Sequence, residues 1–186
     1  APSTLERYRA DLEKPDFQRD PAQAKAVDAL QGIYQELIDT PPSRLRRRWV
    51  PVRGLYLWGG VGRGKTYLMD CFYESLPFTR KKRTHFHRFM QGVHEARKQY
   101  KNQEDPLRLI ARDLGKTRVL CFDEFYISDV ADAMILGRLT TALFAQGVTL
   151  VTTSNIAPEN LYKDGLQRER FLPVIDRIER HCDVQH

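Results

Sequence analysis

The sequence predicts a three-layer α/β fold, a central parallel sheet with helices on both faces. Three observations predict it. Short apolar runs alternate with amphipathic helical stretches along most of the chain. A glycine-rich turn, Gly59 to Gly64, sits between one such run and a helix. A second apolar run, Val119 to Phe122, ends abruptly in two acids, Asp123 and Glu124. Runs that are apolar on both alternating positions are those of strands buried on both faces.

The elements follow in order. Residues 1–19 read as an irregular, charged segment, and residues 20–186 as one core. Asp20-Pro21 starts a helix, the acid as cap and the proline in the first turn. Ala26, Val27, Leu30, Ile33, Tyr34, Leu37 and Ile38 give it one apolar face, and Pro41-Pro42 stop it. A linker, Ser43 to Val50, carries Arg44, Arg46, Arg47 and Arg48. Val52 to Trp58 is the first strand, expected at the centre of the sheet, and a helix follows from about Lys65 to Leu76. Thr84 to His87 reads as a second strand, and Arg88 to Lys101 as a helix. Another helix runs from Asp105-Pro106 to near Gly115. Arg118 to Phe122 is a third strand. Ser128 or Asp129 caps a helix reaching Gln146, with Gly147 as its stop. Val148 to Thr152 is a fourth strand. Helical signals return at Pro158–Tyr162 and Arg170–Arg180, and Cys182-Asp183-Val184 opens a fifth strand.

Composition narrows the class. The chain has 186 residues, 41% hydrophobic and 29% charged, with net charge +6. That describes a folded globular chain rather than a disordered one. Cys71, Cys121 and Cys182 are odd in number and far apart, so neither a disulfide framework nor a zinc site is expected, and a reducing compartment is. The longest uncharged stretch, Leu139 to Pro158, is broken by Gly147 and polar residues and does not read as a membrane span. The opening residues show no basic segment followed by an apolar one, so no signal peptide is expected. A secreted mini-protein, an integral membrane protein and a fibre are thereby excluded.

Gly59-Gly60-Val61-Gly62-Arg63-Gly64-Lys65-Thr66 fits GxxxxGK[ST] at every fixed position, between a strand and a helix as the motif requires. Glycines let the backbone turn its N–H groups inward, and the helix N-terminus adds partial positive charge. Lys65 then reaches the β- and γ-phosphates of a nucleoside triphosphate, and Thr66 offers a hydroxyl to Mg²⁺. Tyr67 follows directly and is counted with the loop. Asp123, at a strand's C-terminal end, is placed to hold Mg²⁺ directly or through water, and Glu124 to orient or deprotonate the attacking water. Asn155, with Ser154 second, is a candidate to bond that water or the γ-phosphate; a plain cap in a strand-to-helix turn is the alternative. Gln23 is a candidate contact to adenine, or an ordinary residue of a capped helix. Arg168 and Arg170 are candidates to stabilise transition-state charge, against the reading of solvated arginines.

Other signals carry less. His85 and His87, two apart on a strand, would face one side without a third metal ligand. His87 or Arg88 is a candidate contact to Glu124. The basic runs Arg44–Arg48 and Arg80–Arg83 read as solvated loops, since no stacking aromatics interleave them for nucleic acid.

The segments Gly54–Thr66, His85–Met90, Cys121–Phe125, Thr153–Asn155 and Gly165–Pro173 together resemble the ZapE cell-division ATPases, AAA+ P-loop proteins with mitochondrial relatives. The likeness extends from about Asp20 over nearly the whole chain. It implies an AAA+ core that hydrolyses ATP to ADP and phosphate with Mg²⁺. Lys65 and Thr66 are implied as phosphate and metal ligands, Asp123 and Glu124 as metal ligand and base, and Asn155 as first sensor. Arg170, then Arg168, is implied as the finger reaching a neighbouring subunit of a homo-oligomer. It further implies association with the ring protein FtsZ and a cytoplasmic place, peripheral to the inner membrane. Family members are longer, so the helical lid and its second sensor arginine are missing from this sequence. Two other classes remain open: a helicase-loader-like or transposition-helper ATPase acting on DNA, and a nucleotide-gated adaptor with little turnover.

Overall fold

The computed structural model describes residues 2–15, 20–42, 48–59 and 63–186, the side chain of Arg63 excepted. Five strands form one parallel sheet: β1 (Gly54–Trp58), β2 (Lys81–His85), β3 (Val119–Asp123), β4 (Thr149–Ser154) and β5 (Cys182–Gln185). Their order is β2-β3-β4-β1-β5. The expected α/β class holds, with one correction: β4 is the middle strand, and β1 lies between β4 and β5.

Side chains alternate across the strands and so split the core into two layers. Leu55, Leu57, Cys121 and Val151 pack with Val27, Leu30, Leu68 and Phe72 on one face. Tyr56, Leu120, Phe122 and Leu150 pack on the other with Phe86, Leu136, Leu139, Val174 and Ile178. The first face is covered by α1 (Thr4–Leu12), α2 (Pro21–Asp39) and α3 (Arg63–Ser75). The second is covered by α4 (Phe86–Gln99), α5 (Pro106–Leu114), α6 (Val130–Ala145) and α7 (Arg168–His181).

Three elements differ from expectation. Residues 1–19 are not wholly irregular: Ser3 and Glu6 form a reciprocal capping box that starts α1. Tyr8 of α1 is buried in the first layer. The second strand is Lys81–His85, and Phe86 and His87 already belong to α4. The basic run is therefore an edge strand rather than a solvated loop. Lys81 Nζ donates to the Tyr73 and Leu76 carbonyls at the end of α3 (2.7 and 3.1 Å), where the helix dipole favours a cation. Lys82 lies over the Phe89 ring at 5.9 Å. Lysines on an edge strand also discourage pairing with a foreign strand. Lastly, α7 starts at Arg168, two residues early, and Pro158–Asn160 is a single 3-10 turn.

The caps behave as local chemistry requires. Asp20 accepts from Ala22 N–H at 2.9 Å, and Asp129, not Ser128, caps α6. Gly147 has φ 80° and lies against Trp49, whose carbonyl oxygen would be 2.1 Å from any added Cβ. Only glycine meets both demands. The arginines at 44, 46 and 47 lie outside the described residues.

Candidate functional site: the C-terminal edge of the sheet

In a parallel sheet every strand delivers its following residue to the same edge. The loops after β1, β3 and β4, and the turn from β2 into α4, meet there.

Gly59 leaves β1 with φ 152°, and its N–H donates to the Ser154 carbonyl at 3.1 Å. Gly60, Val61 and Gly62 lie outside the described residues. Where the chain resumes, α3 carries Lys65 and Thr66 in its first turns. Lys65 Nζ donates to the Gly59 carbonyl (2.5 Å) and to Asn155 Oδ1 (3.2 Å), across 90 residues of sequence. Burial lowers the Lys65 pKa, and the charge on Glu124 partly restores it. Thr66 is exposed. Tyr67 turns the other way, its hydroxyl donating to Asp11 of α1, so its side chain is not at the loop.

Gln23 of α2 comes beside the loop. Its Nε2 would lie 3.3 Å from a Cβ on Gly64. A cleft of about 390 Å³ opens there, lined by Gln23, Trp58, Gly59, Gly64, Lys65 and His186. His186 stacks on Trp58 with ring centroids 4.1 Å apart. Trp58 and His186 are site residues that the sequence reading does not pick out; each is a single aromatic at a strand end, with no motif around it.

Asp123 ends β3 and is held by a fork from Arg83 of β2. Arg83 Nε donates to Oδ2 at 2.8 Å and Nη2 to Oδ1 at 3.1 Å, while Nη1 donates to Asp70 of α3. Burial would lower the Arg83 pKa, but the bonds to Asp123 and Asp70 outweigh it and raise it. Glu124 sits in the left-handed region at φ 54°, which bends the chain out of β3. Its N–H donates to Thr153 Oγ1 (3.2 Å), and the next N–H, of Phe125, donates to the Thr153 carbonyl (2.8 Å). The Glu124 side chain is 71% exposed.

The residue that meets Glu124 is His85, not His87 or Arg88. His85 Nε2 lies 2.7 Å from Glu124 Oε2. His85 is the N-cap of α4, its Nδ1 accepting from His87 N–H at 3.2 Å. That bond fixes the tautomer: the proton is on Nε2 and is donated to Glu124. His85 and His87 therefore do not share a strand face.

The two arginine candidates separate. Arg168 Nη2 donates to the Glu159 and Leu161 carbonyls (2.6 and 3.3 Å), tying α7 to the 3-10 turn. Arg170 is exposed, and its guanidinium makes no ion pair among the described residues.

The residues fit a nucleotide-borne metal rather than a protein-only cage. Among the described residues no group of three or more His, Cys, Asp or Glu is arranged to hold a cation. Mg²⁺ ordinarily keeps waters and binds through phosphates with one or two protein groups. Thr66 and Asp123 are the protein groups that would meet such a metal. At Gly59 an added Cβ would come 3.3 Å from His186, and at Gly64 3.3 Å from Gln23 Nε2, so a side chain at either would crowd the cleft.

Residues 3–186 match the model of the AFG1-like ATPase family. The cell division protein ZapE of Escherichia coli (strain K12) is 54% identical over 198 residues, covering 97% of this chain and 53% of that protein. The chain thus spans about half the length of that relative. Among solved structures, DnaI superposes with a TM-score of 0.68 at 18% identity, over 95% of this chain and 92% of that one. AMPPCP-bound DnaA from Aquifex aeolicus gives 0.64 at 15%, over 91% and 48%. At these identities the two structures speak for the fold alone, a parallel sheet layered with helices. Family model and ZapE likeness agree over essentially the whole chain: it belongs to the AFG1-like ATPase family.

Proposed function

We propose that this chain is the nucleotide-binding core of a Mg²⁺-dependent enzyme that hydrolyses ATP to ADP and phosphate. The observation that carries the reading is Lys65, drawn to the Gly59 carbonyl and to Asn155, with Glu124 and His85 at the same sheet edge. ATP enters the cleft beside Gln23, Trp58 and His186, its phosphates on the glycine bend. Lys65 exchanges the Gly59 carbonyl for phosphate oxygens, a stronger, charge-assisted partner. Asn155, already against Lys65, is placed to bond the terminal phosphate or the water. Glu124 accepts the proton of that water while His85 holds its second oxygen. Bound Mg²⁺, met by Thr66 and by Asp123, supplies charge neutralisation on the phosphates. Positioning and preorganised charge supply most of the acceleration.

Arg170, exposed at the start of α7, is proposed to act on the nucleotide of a neighbouring copy in a homo-oligomer. Arg168 is engaged with the 3-10 turn and has a structural part. Through the likeness to ZapE we extend the reading to the whole protein: an ATPase of cell division that associates with FtsZ polymers and acts on them. Its proposed place is the cytoplasm, peripheral to the inner membrane. Among the described residues no helix is long and apolar enough to cross a membrane.

ATP turnover by the full-length protein, with and without FtsZ polymers, tests this. Lys65→Ala is expected to abolish nucleotide binding. Glu124→Gln is expected to keep binding and lose turnover by about 10²-fold or more. Equal turnover by wild type and Glu124→Gln removes Glu124 from the mechanism.

A further inference from the structure

Arg83 belongs to a basic run, yet its charge is enclosed at the site. Its side chain is 20% exposed, as is that of Asp123, and all three of its nitrogens are used. Two of them grip both oxygens of Asp123 and the third grips Asp70. Asp70 lies four residues beyond Thr66 on α3, so the two share a helix face. One guanidinium therefore spans the strand that ends in Asp123 and the helix that carries Thr66 in its first turn.

We propose that Arg83 is the positioning residue of the metal site: its fork between Asp70 and Asp123 sets how the Asp123 carboxylate and the Thr66 hydroxyl face the same cation. The proposal rests on the nucleotide-binding reading above. A carboxylate gripped through both oxygens cannot rotate, and its remaining lone pairs point in fixed directions. Such a group suits a cation with near-octahedral demands that keeps its waters. The Asp70 charge offsets that of Arg83, so the guanidinium can stand beside a cation site without adding net positive charge to it. A lysine at this position would keep the charge but could not fork, since an ammonium is a point charge and a guanidinium is planar. Groups that orient a metal ligand without touching the metal typically carry about 10–100-fold in metal affinity.

The test separates nucleotide from metal. Full-length wild type, Arg83→Lys and Asp70→Asn are titrated with a fluorescent ADP in EDTA. The ADP-loaded proteins are then titrated with Mn²⁺, followed by its paramagnetic resonance signal. Arg83→Lys is expected to bind ADP in EDTA within about twofold of wild type and Mn²⁺ about tenfold or more weakly. Asp70→Asn, at a half-exposed position, is expected to weaken Mn²⁺ in the same direction by less. Wild-type Mn²⁺ affinity in Arg83→Lys overturns the proposal, as does an equal loss of EDTA binding, which would mark a general structural part. If Arg83→Lys does not fold, Asp70→Asn decides, and unchanged Mn²⁺ affinity there overturns it. Failure of wild type to bind ADP in EDTA and with Mg²⁺ alike instead defeats the nucleotide-binding reading, and this inference with it.

Discussion

His85 does two separable jobs, and a pair of substitutions divides them. Its Nδ1 caps α4 by accepting from His87 N–H, and its Nε2–H donates to Glu124. His85→Ala removes both. Loss of an N-cap costs about 1 kcal/mol. The contact to Glu124 joins side chains that are 41% and 71% exposed, so it adds only about 0–1 kcal/mol to stability. For a chain of this size a loss of ~1 kcal/mol lowers Tm by about 2–4 °C. His85→Ser keeps a capping oxygen next to Cβ, but that oxygen falls well short of the point that Nε2 reaches on the far side of the ring. Since both variants lose the Glu124 contact alike, His85→Ser is therefore expected to unfold about 2–4 °C above His85→Ala, the cap's ~1 kcal/mol separating them. Both variants release Glu124. Both are expected to lose about tenfold in kcat, equivalent to ~1.4 kcal/mol of barrier, with the KM for ATP little changed. The assays are thermal unfolding of this chain and steady-state ATP hydrolysis by the full-length protein. A serine variant as unstable as the alanine variant refutes the cap. A serine variant with wild-type kcat refutes the hold on Glu124.

Further outcomes follow from the same geometry. Cys71, Cys121 and Cys182 are all buried, and burial pushes the Cys121 and Cys182 thiols up to about 12, so a thiol reagent at pH 8 is expected to label none of the three until the chain unfolds. Arg168→Ala is expected to destabilise the chain by about 0.5–1.5 kcal/mol, because it removes the bonds to the Glu159 and Leu161 carbonyls, whereas Arg170→Ala leaves Tm unchanged and lowers turnover only in the oligomer. The Lys65 ammonium titrates below its ordinary 10.5 because burial disfavours the charge. The unfolded chain thus binds more protons than the folded one between the two values, and this group's share of stability rises with pH across that window. Glu124→Gln removes the opposing attraction and is expected to lower the Lys65 pKa further, read by NMR of the ¹³C-dimethylated lysine.

Much of this protein was legible from neighbours along the chain. Helical periodicity, Asp20 and Asp129 as caps, the glycine bend before Lys65 and the acids after Phe122 are all short-range patterns, and each names its element because its cause is local. The helix α1 was legible too: Ser3 followed by Glu6 is the capping-box spacing, though the charges around it read as irregular chain. Tertiary structure decided what the local pattern leaves open. Arg83 looks like one member of a basic run until the β2–β3 register sets His85 opposite Asp123 and Arg83 opposite Cys121. That register turns Arg83 into the clamp on Asp123, brings His85 rather than His87 to Glu124, and leaves His87 on a helix. Lys65 and Asn155, or Trp58 and His186, likewise meet only because parallel strands far apart in sequence end at one edge. Such pairings depend on which strands lie side by side and in what register. Those choices are made by burial of whole sheet faces, a property of the folded chain and of no short stretch within it.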